Sequence, residues 1–179
     1  MPQVAADVFE ELNAFARRIP LLDLEAWMGH CDLCYDNVRT FVKFHPDRYL
    51  RNLMCGGPAY QALVLCWKSG QRSPIHDHVG SSCCVKVLRG EATETFFQSA
   101  PNGMIYATGS RVLREGAMCG SQDDDIHQMS NLQAGGADLV TLHVYSPPLL
   151  SMNVYSLLDD SVSRFIDPIN DEFVGGAGI

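Results

Sequence analysis

The sequence predicts a mainly β protein, a barrel of short strands preceded by N-terminal helices, and three observations carry that prediction. From Tyr49 onward the chain falls into short runs rich in β-branched and aromatic residues, punctuated by glycine, asparagine and serine. Many close-spaced strands of this kind make a barrel or a sandwich. Before Tyr49 the apolar residues recur instead at helical spacing. A length of 179 residues with 46% hydrophobic content supplies one closed core without a second domain. The expected layout is therefore a single domain, 1–179, with a helical region over 1–47, a barrel over 48–170 and a flexible tail over 171–179.

The elements follow in order. Val8, Leu12, Phe15 and Ile19 share one helical face with Asp7, Glu10, Glu11, Arg17 and Arg18 largely between them, which predicts an amphipathic helix ended by Pro20. Helices are expected over 22–28 and 33–44. Strands are expected over 49–53, 60–67, 83–88, 92–98, 105–107, 111–113, 117–119, 127–130, 139–145 and 152–157. Gly175, Gly176 and Gly178 give the last residues little reason to be ordered. Internal repeats and dividing linkers are absent from the sequence.

A formal net charge of -8 argues against nucleic acid or an anionic membrane as partner, because neither would be attracted to the chain. The ligands expected are small. The segment 1–11 carries Asp7, Glu10 and Glu11 and lacks an apolar core flanked by basic residues, so we expect neither a signal peptide nor a membrane anchor, but a soluble cytoplasmic protein acting as a monomer. Seven cysteines at irregular spacing fit reduced cytosolic thiols better than a disulfide framework. Cys31-x-x-Cys34 has no second pair to complete a zinc site and no preceding strand to make it a redox motif, so it is read as two small, partly buried helix residues.

The chemistry begins at His76-Asp77-His78, answered by His127. In an extended strand, residues i and i+2 share a face, so His76 and His78 can converge while Asp77 faces away. A third imidazole from a paired strand would complete a facial cap. Three neutral imidazoles suit iron, zinc, copper or nickel, whereas calcium and magnesium want oxygen. An isolated H-x-H also occurs as a surface pair, so the surroundings matter. Gly70-x5-His76-x-His78-x4-Cys83-x6-Gly90 resembles the first motif of the cupin barrels, with Cys83 in place of their glutamate ligand. Gly116 and His127-x3-Asn131 resemble the second, with Gln122 and Asp124 replacing a proline and a glycine.

Side-chain parity adds candidates. Over 139–145, Leu139, Thr141, His143 and Tyr145 share one face and Val140, Leu142 and Val144 the other. By pattern alone the more polar stripe belongs in solvent. Tyr49 and Arg51 share a face, and an arginine is ordinarily at the surface unless an anion meets it. In Cys83-Cys84-Val85-Lys86-Val87-Leu88, Lys86 argues that its own face, with Cys84, points outward and that Cys83 points inward.

Tyr49-x-Arg51-Asn52-Leu53, Leu65-Cys66-Trp67, Ile75-His76-Asp77-His78 with Cys83, Lys86-Val87-Leu88-x-Gly90, and Leu142-His143-Val144-Tyr145-Ser146-Pro147-Pro148 together resemble the cysteine dioxygenases, thiol dioxygenases of the cupin family. The likeness runs in order over residues 48–150. It implies a cupin, jelly-roll-like barrel and ferrous iron, Fe(II), held by His76, His78 and His127. It further implies that L-cysteine chelates the iron through sulfur and nitrogen while dioxygen takes the remaining position, giving cysteine sulfinic acid. Arg51 would hold the substrate carboxylate, with Tyr49 steadying that end. Tyr145 would place its phenol beside the reacting groups, hydrogen-bonded by His143 with Thr141 behind, where animal members carry serine.

The same likeness implies a Cys83–Tyr145 thioether crosslink, a cis Ser146–Pro147 bond, and an entrance widened by Ser82 where relatives have a larger residue. Enzymes acting on 3-mercaptopropionate are similar but usually carry glutamine at the Arg51 position. A non-catalytic metal-binding cupin sensor is the alternative from another class.

Overall fold

The computed structural model describes residues 8–166, and nine strands run through them: β1 (Leu50–Gly56), β2 (Gln61–Trp67), β3 (His76–Arg89), β4 (Glu91–Ser99), β5 (Ile105–Arg114), β6 (Met118–Ser130), β7 (Leu139–Ser146), β8 (Ser151–Tyr155) and β9 (Val162–Ile166). Every pairing is antiparallel, in the order β1-β2-β7-β3-β6-β4-β5, with β8 joining β3 to β9. The long β3 is the spine, hydrogen-bonded to β7 and β6 and, at its start, to β8. It turns into β4 at Gly90, whose φ is 85°, and an added Cβ there would sit 2.6 Å from the Asp138 carbonyl oxygen, so only glycine fits.

Alternation sorts the side chains of β2, β3 and β7 into two apolar layers. Leu63, Leu65, Trp67, Cys83, Val85, Val87, Leu139 and Tyr145 face the barrel interior with Leu113, Cys119 and Met129. Ala62, Val64, Cys66, Cys84, Leu88, Val140, Leu142 and Val144 face the other way, under Phe9, Leu12, Ile19, Leu24, Trp27 and Met28 of the N-terminal region. Each large side chain fully buried here contributes about 1.5–3 kcal/mol. Cys84 therefore points away from the interior, as expected, but onto the helices and not into solvent. The stripe Thr141, His143 and Tyr145 does not belong in solvent either, since all of β7 is buried. The helices take the outer face, which leaves the polar stripe inside.

The N-terminal region differs from the sequence reading in its helix lengths. The first described helix, α1, covers only Glu10–Asn13. Beyond it the chain unwinds and is tied to the barrel, because Arg18 reaches Ser82, Gln122 and Asp123 and the backbone N–H of Ile19 donates to Ser146 Oγ at 2.7 Å. Helix α2 (Leu21–His30) starts directly after Pro20, a residue suited to that junction. The helix expected over 33–44 shortens to α3 (Tyr35–Val38) and a 3-10 turn at Arg39–Phe41. Cys31 and Cys34 consequently lie between helices and not within one: Cys31 is buried, while Cys34 is exposed and opens α3, where its backbone N–H donates to Asn37 Oδ1.

Among the strands, the runs at 105–107 and 111–113 are one strand, as are those at 117–119 and 127–130. The ladder carries through the intervening polar residues because backbone pairing does not depend on their side chains. β9 is largely exposed and lacks the alternation that would have marked it. The tail expected over 171–179 lies outside the described residues. Among the described residues no helix is long and apolar enough to cross a membrane.

Candidate metal centre

His76 and His127 are direct cross-strand partners on β3 and β6. His78, two residues on, pairs with Asp123, so β6 carries extra residues between its two contact points, and Asp123 takes up the irregularity with φ at 50°. This bulged register brings the three rings together, with centroids 4.8 to 5.1 Å apart. One nitrogen from each lies within 4.8 Å of the others, and all three side chains are buried.

The second nitrogen of two of the rings is already committed. His76 Nδ1 lies 3.0 Å from the Pro74 carbonyl oxygen and His127 Nδ1 2.8 Å from Glu94 Oε1. Both partners can only accept, so each Nδ1 carries the proton and each Nε2 is the atom that would donate to a metal. His127 Nε2 is buried with no hydrogen-bond partner among the described residues. An orphaned buried polar atom costs about 1–3 kcal/mol, and a bound cation removes that cost. Burial first, then the neighbouring His127, lowers the His76 pKa to about 3, and the same causes hold His78 well below its ordinary value. Both rings are thus neutral, as metal ligands must be. Three convergent nitrogens without a carboxylate donor fit a divalent transition metal.

Asp77 turns away from the centre, as the alternation requires, yet it is buried. Its carboxylate accepts the Asn153 backbone N–H, the Asn153 side-chain amide at 2.8 Å and the Tyr155 hydroxyl at 2.7 Å, which fastens the two-histidine segment to β8.

The imidazoles open onto a small, tightly lined pocket with a free cavity volume of about 10 Å³. Of the remaining residues singled out in the sequence, Tyr49, Arg51, Cys83, His143 and Tyr145 line it. Thr141 stands one residue behind. A hydrogen-bonded chain runs through them: Arg51 Nη1 makes a long 3.5 Å contact with the Tyr145 hydroxyl, which is 3.1 Å from His143 Nδ1, and His143 Nε2 is 2.9 Å from Thr141 Oγ1. Trp67 Nε1 donates to the same Thr141 oxygen at 3.1 Å, and Tyr49 stacks on the Trp67 ring at 4.2 Å. Burial and then the Arg51 charge hold His143 well below its usual pKa, so its ring is neutral. Burial pushes the Tyr145 phenol and the Cys83 thiol up, leaving both protonated.

Cys83 and Tyr145 are direct cross-strand partners on β3 and β7, both facing the pocket. Ser146–Pro147 is cis. Ser82 does not widen an entrance: it is buried on the opposite face of β3 and accepts the Arg18 Nε–H at 3.0 Å.

Glu94 is the functional candidate that sequence reading missed. Its carboxylate is buried between His127 and Arg111, with Arg111 Nε 2.7 Å from Oε2. Burial alone would push that carboxyl up, but the hydrogen bonds from His127 and Arg111 hold it below its ordinary value. The signal was present, because Ala92 and Glu94 share a face of β4 and Ala92 faces the core. A larger hollow of about 440 Å³ on the flank shares Glu94 and His127 with this region, but the imidazoles converge on the smaller pocket.

Residues 22–157 match the family model described as cysteine dioxygenase type I. Cysteine dioxygenase type 1 of Bos taurus is 33% identical over 180 residues, covering 96% of this chain and 88% of the bovine protein. The Homo sapiens protein of the same name is 39% identical over 114 residues, covering 60% of this chain and 56% of its own. Among solved structures, a conserved protein with a double-stranded β-helix domain from Klebsiella pneumoniae superposes with a TM-score of 0.52 at 15% identity, over 66% of this chain and 94% of the other. An RmlC-like cupin protein from Ralstonia eutropha gives 0.52 at 14% identity, over 75% and 77%. At such identities these two likenesses bear on the fold alone, which is the cupin barrel.

Proposed function

Because this chain belongs to the cysteine dioxygenase type I family, we propose that it oxidises the thiol of L-cysteine to cysteine sulfinic acid at an iron(II) ion held by His76, His78 and His127. The overall change, RSH + O2 → RSO2H, places both oxygen atoms on sulfur and needs no external reductant. The observation that carries this reading is that three convergent buried imidazoles, a guanidinium and a phenol line one small pocket.

Iron bound there supplies open coordination positions at which a thiol and dioxygen can meet. The protein's part is charge and orientation. Three neutral ligands leave the ion's positive charge uncancelled by any directly bound carboxylate, which favours the thiolate form of the substrate. Arg51 binds the substrate carboxylate through its planar fork, and Tyr49, braced on Trp67, steadies that end. The substrate is then fixed at two points, with its sulfur toward the imidazoles.

Tyr145 holds its protonated hydroxyl between the Arg51 end of the pocket and the His143 ring. His143, Thr141 and Trp67 fix that hydroxyl's direction, so it can hydrogen-bond an oxygen atom arriving at the substrate sulfur. Cys83, opposite Tyr145, would join it by a thioether, the two hydrogens lost passing to dioxygen. The groups named come from a single chain, so a monomer suffices, and seven free cysteines suit a cytoplasmic setting.

The test is to purify the protein anaerobically, load it with iron(II), and follow oxygen uptake with L-cysteine, 3-mercaptopropionate and no substrate. Uptake matching cysteine consumed, with sulfinic acid as product, is the expected result. Preference for 3-mercaptopropionate would reassign the substrate, and metal binding without uptake would indicate a non-catalytic protein.

A further inference from the structure

The three histidines are not equivalent. The distal N–H of His76 meets a neutral backbone carbonyl, and His78 Nδ1 has no partner among the described residues, but His127 alone is backed by an ion. That ion is Glu94, 1% exposed, and its two oxygens are divided between two tasks. Oε1 faces His127 Nδ1 at 2.8 Å, and Oε2 receives Arg111 through Nε and Nη2, each at 2.7 Å. Arg111, lying over the Phe96 ring, has a side chain 45% exposed, so the series runs from solvent to the back of one imidazole.

If Glu94 served stability alone, a full bidentate pair with Arg111 would satisfy both oxygens better than this split does. A carboxylate held against the distal N–H of a ligand imidazole makes that ring more basic and fixes its tautomer and direction. Uncompensated, it would also return negative charge to a centre whose directly bound ligands carry none. Arg111 cancels that charge from the far side. We propose that Glu94 is a positioning residue that makes His127 the most strongly donating of the three ligands, and that Arg111 is its charge balance, setting how readily the bound metal is oxidised. This rests on the reading of His76, His78 and His127 as an iron centre.

Opposite charges at the two positions give an opposite signature. Iron(II) affinity is measured by competition with a coloured chelator, and the iron(III)/iron(II) potential by equilibrating the loaded protein with mediators and following the ferric EPR signal. Glu94→Gln keeps an acceptor of the same shape but removes the charge, so affinity should fall roughly 10- to 100-fold and the potential should rise. Arg111→Met leaves the carboxylate uncancelled, so the potential should fall and iron(II) should be held at least as tightly as in the wild type. The double variant should lie between the two. A merely structural ion pair predicts that both single variants weaken iron in parallel, with potentials unmoved or moved the same way, and that result overturns the proposal. Arg111 is half-exposed, so its variant decides the matter even if Glu94→Gln does not fold. A wild type that binds no iron overturns the metal-centre reading as well, whereas an iron-binding wild type with parallel variants overturns this inference alone.

Discussion

Thr141 shows how a small side chain can fix the direction of larger ones at a distance. Its hydroxyl is the shared terminus for Trp67 Nε1 and His143 Nε2, and His143 in turn holds the Tyr145 phenol. Thr141→Ala should strand two buried nitrogens, lowering stability by about 1–3 kcal/mol in denaturant unfolding and reducing turnover, while Thr141→Ser should restore most of both. At the other end of the pocket, Arg51→Ala should weaken cysteine binding by about 2–5 kcal/mol without loss of iron. Cysteamine, which lacks the carboxylate, should bind poorly to the wild type and lose little more in the variant. Equal losses for the two thiols would move Arg51 from recognition to folding. After prolonged turnover, mass spectrometry of reduced digests should find the Cys83 and Tyr145 peptides joined, in Cys84→Ser but not in Cys83→Ser. Parity in the sequence was enough to choose between the two cysteines, because Lys86 reaches the Cys31 carbonyl on the helix-covered side and leaves Cys83 to the interior.

At the level of elements, β3 is held in place by its neighbours, and the β8 contact bears most directly on the chemistry. Asp77 receives hydrogen bonds from Asn153 and Tyr155, so the segment between His76 and His78 cannot swing without leaving buried polar groups unpaired. Asp77→Ala should therefore cost about 2–4 kcal/mol of stability and weaken metal binding, measured by chelator competition. Unchanged affinity in a folded variant would show that the histidines hold their geometry without β8. None of this was legible from the sequence, since an exposed Asp77 and one paired across 76 residues read alike. The N-terminal helix teaches the same lesson. Its apolar spacing from Val8 to Ile19 is helical, but the pull of Arg18 and Ile19 toward the barrel outweighs local propensity after Asn13.

Across the whole molecule, what could be read in advance was what alternation and motif spacing control. The barrel, the facing of His76 with His78, and the inward Cys83 follow from a period of two, and the likeness in ordered motifs collected the pocket residues before their geometry was known. The sequence could not show which face of β7 the helices would cover, because Thr141, His143 and Tyr145 look like a solvated stripe until a partner buries the other side. The inward face of Glu94 was legible beside Ala92, but its role was not, because that depends on a register between β4 and β6 that pairs Phe96 with His127. On the proposed function, this barrel uses iron at the three histidines to move both atoms of dioxygen onto a cysteine thiol. The most direct measurement is turnover of iron-loaded protein with L-cysteine under oxygen-18 gas, with the isotopic content of the product read by mass spectrometry. Cysteine sulfinic acid carrying two labelled oxygens is expected from the wild type and none from His127→Ala, whereas a single label, oxygen derived from water, or full activity with zinc in place of iron would overturn the proposed function.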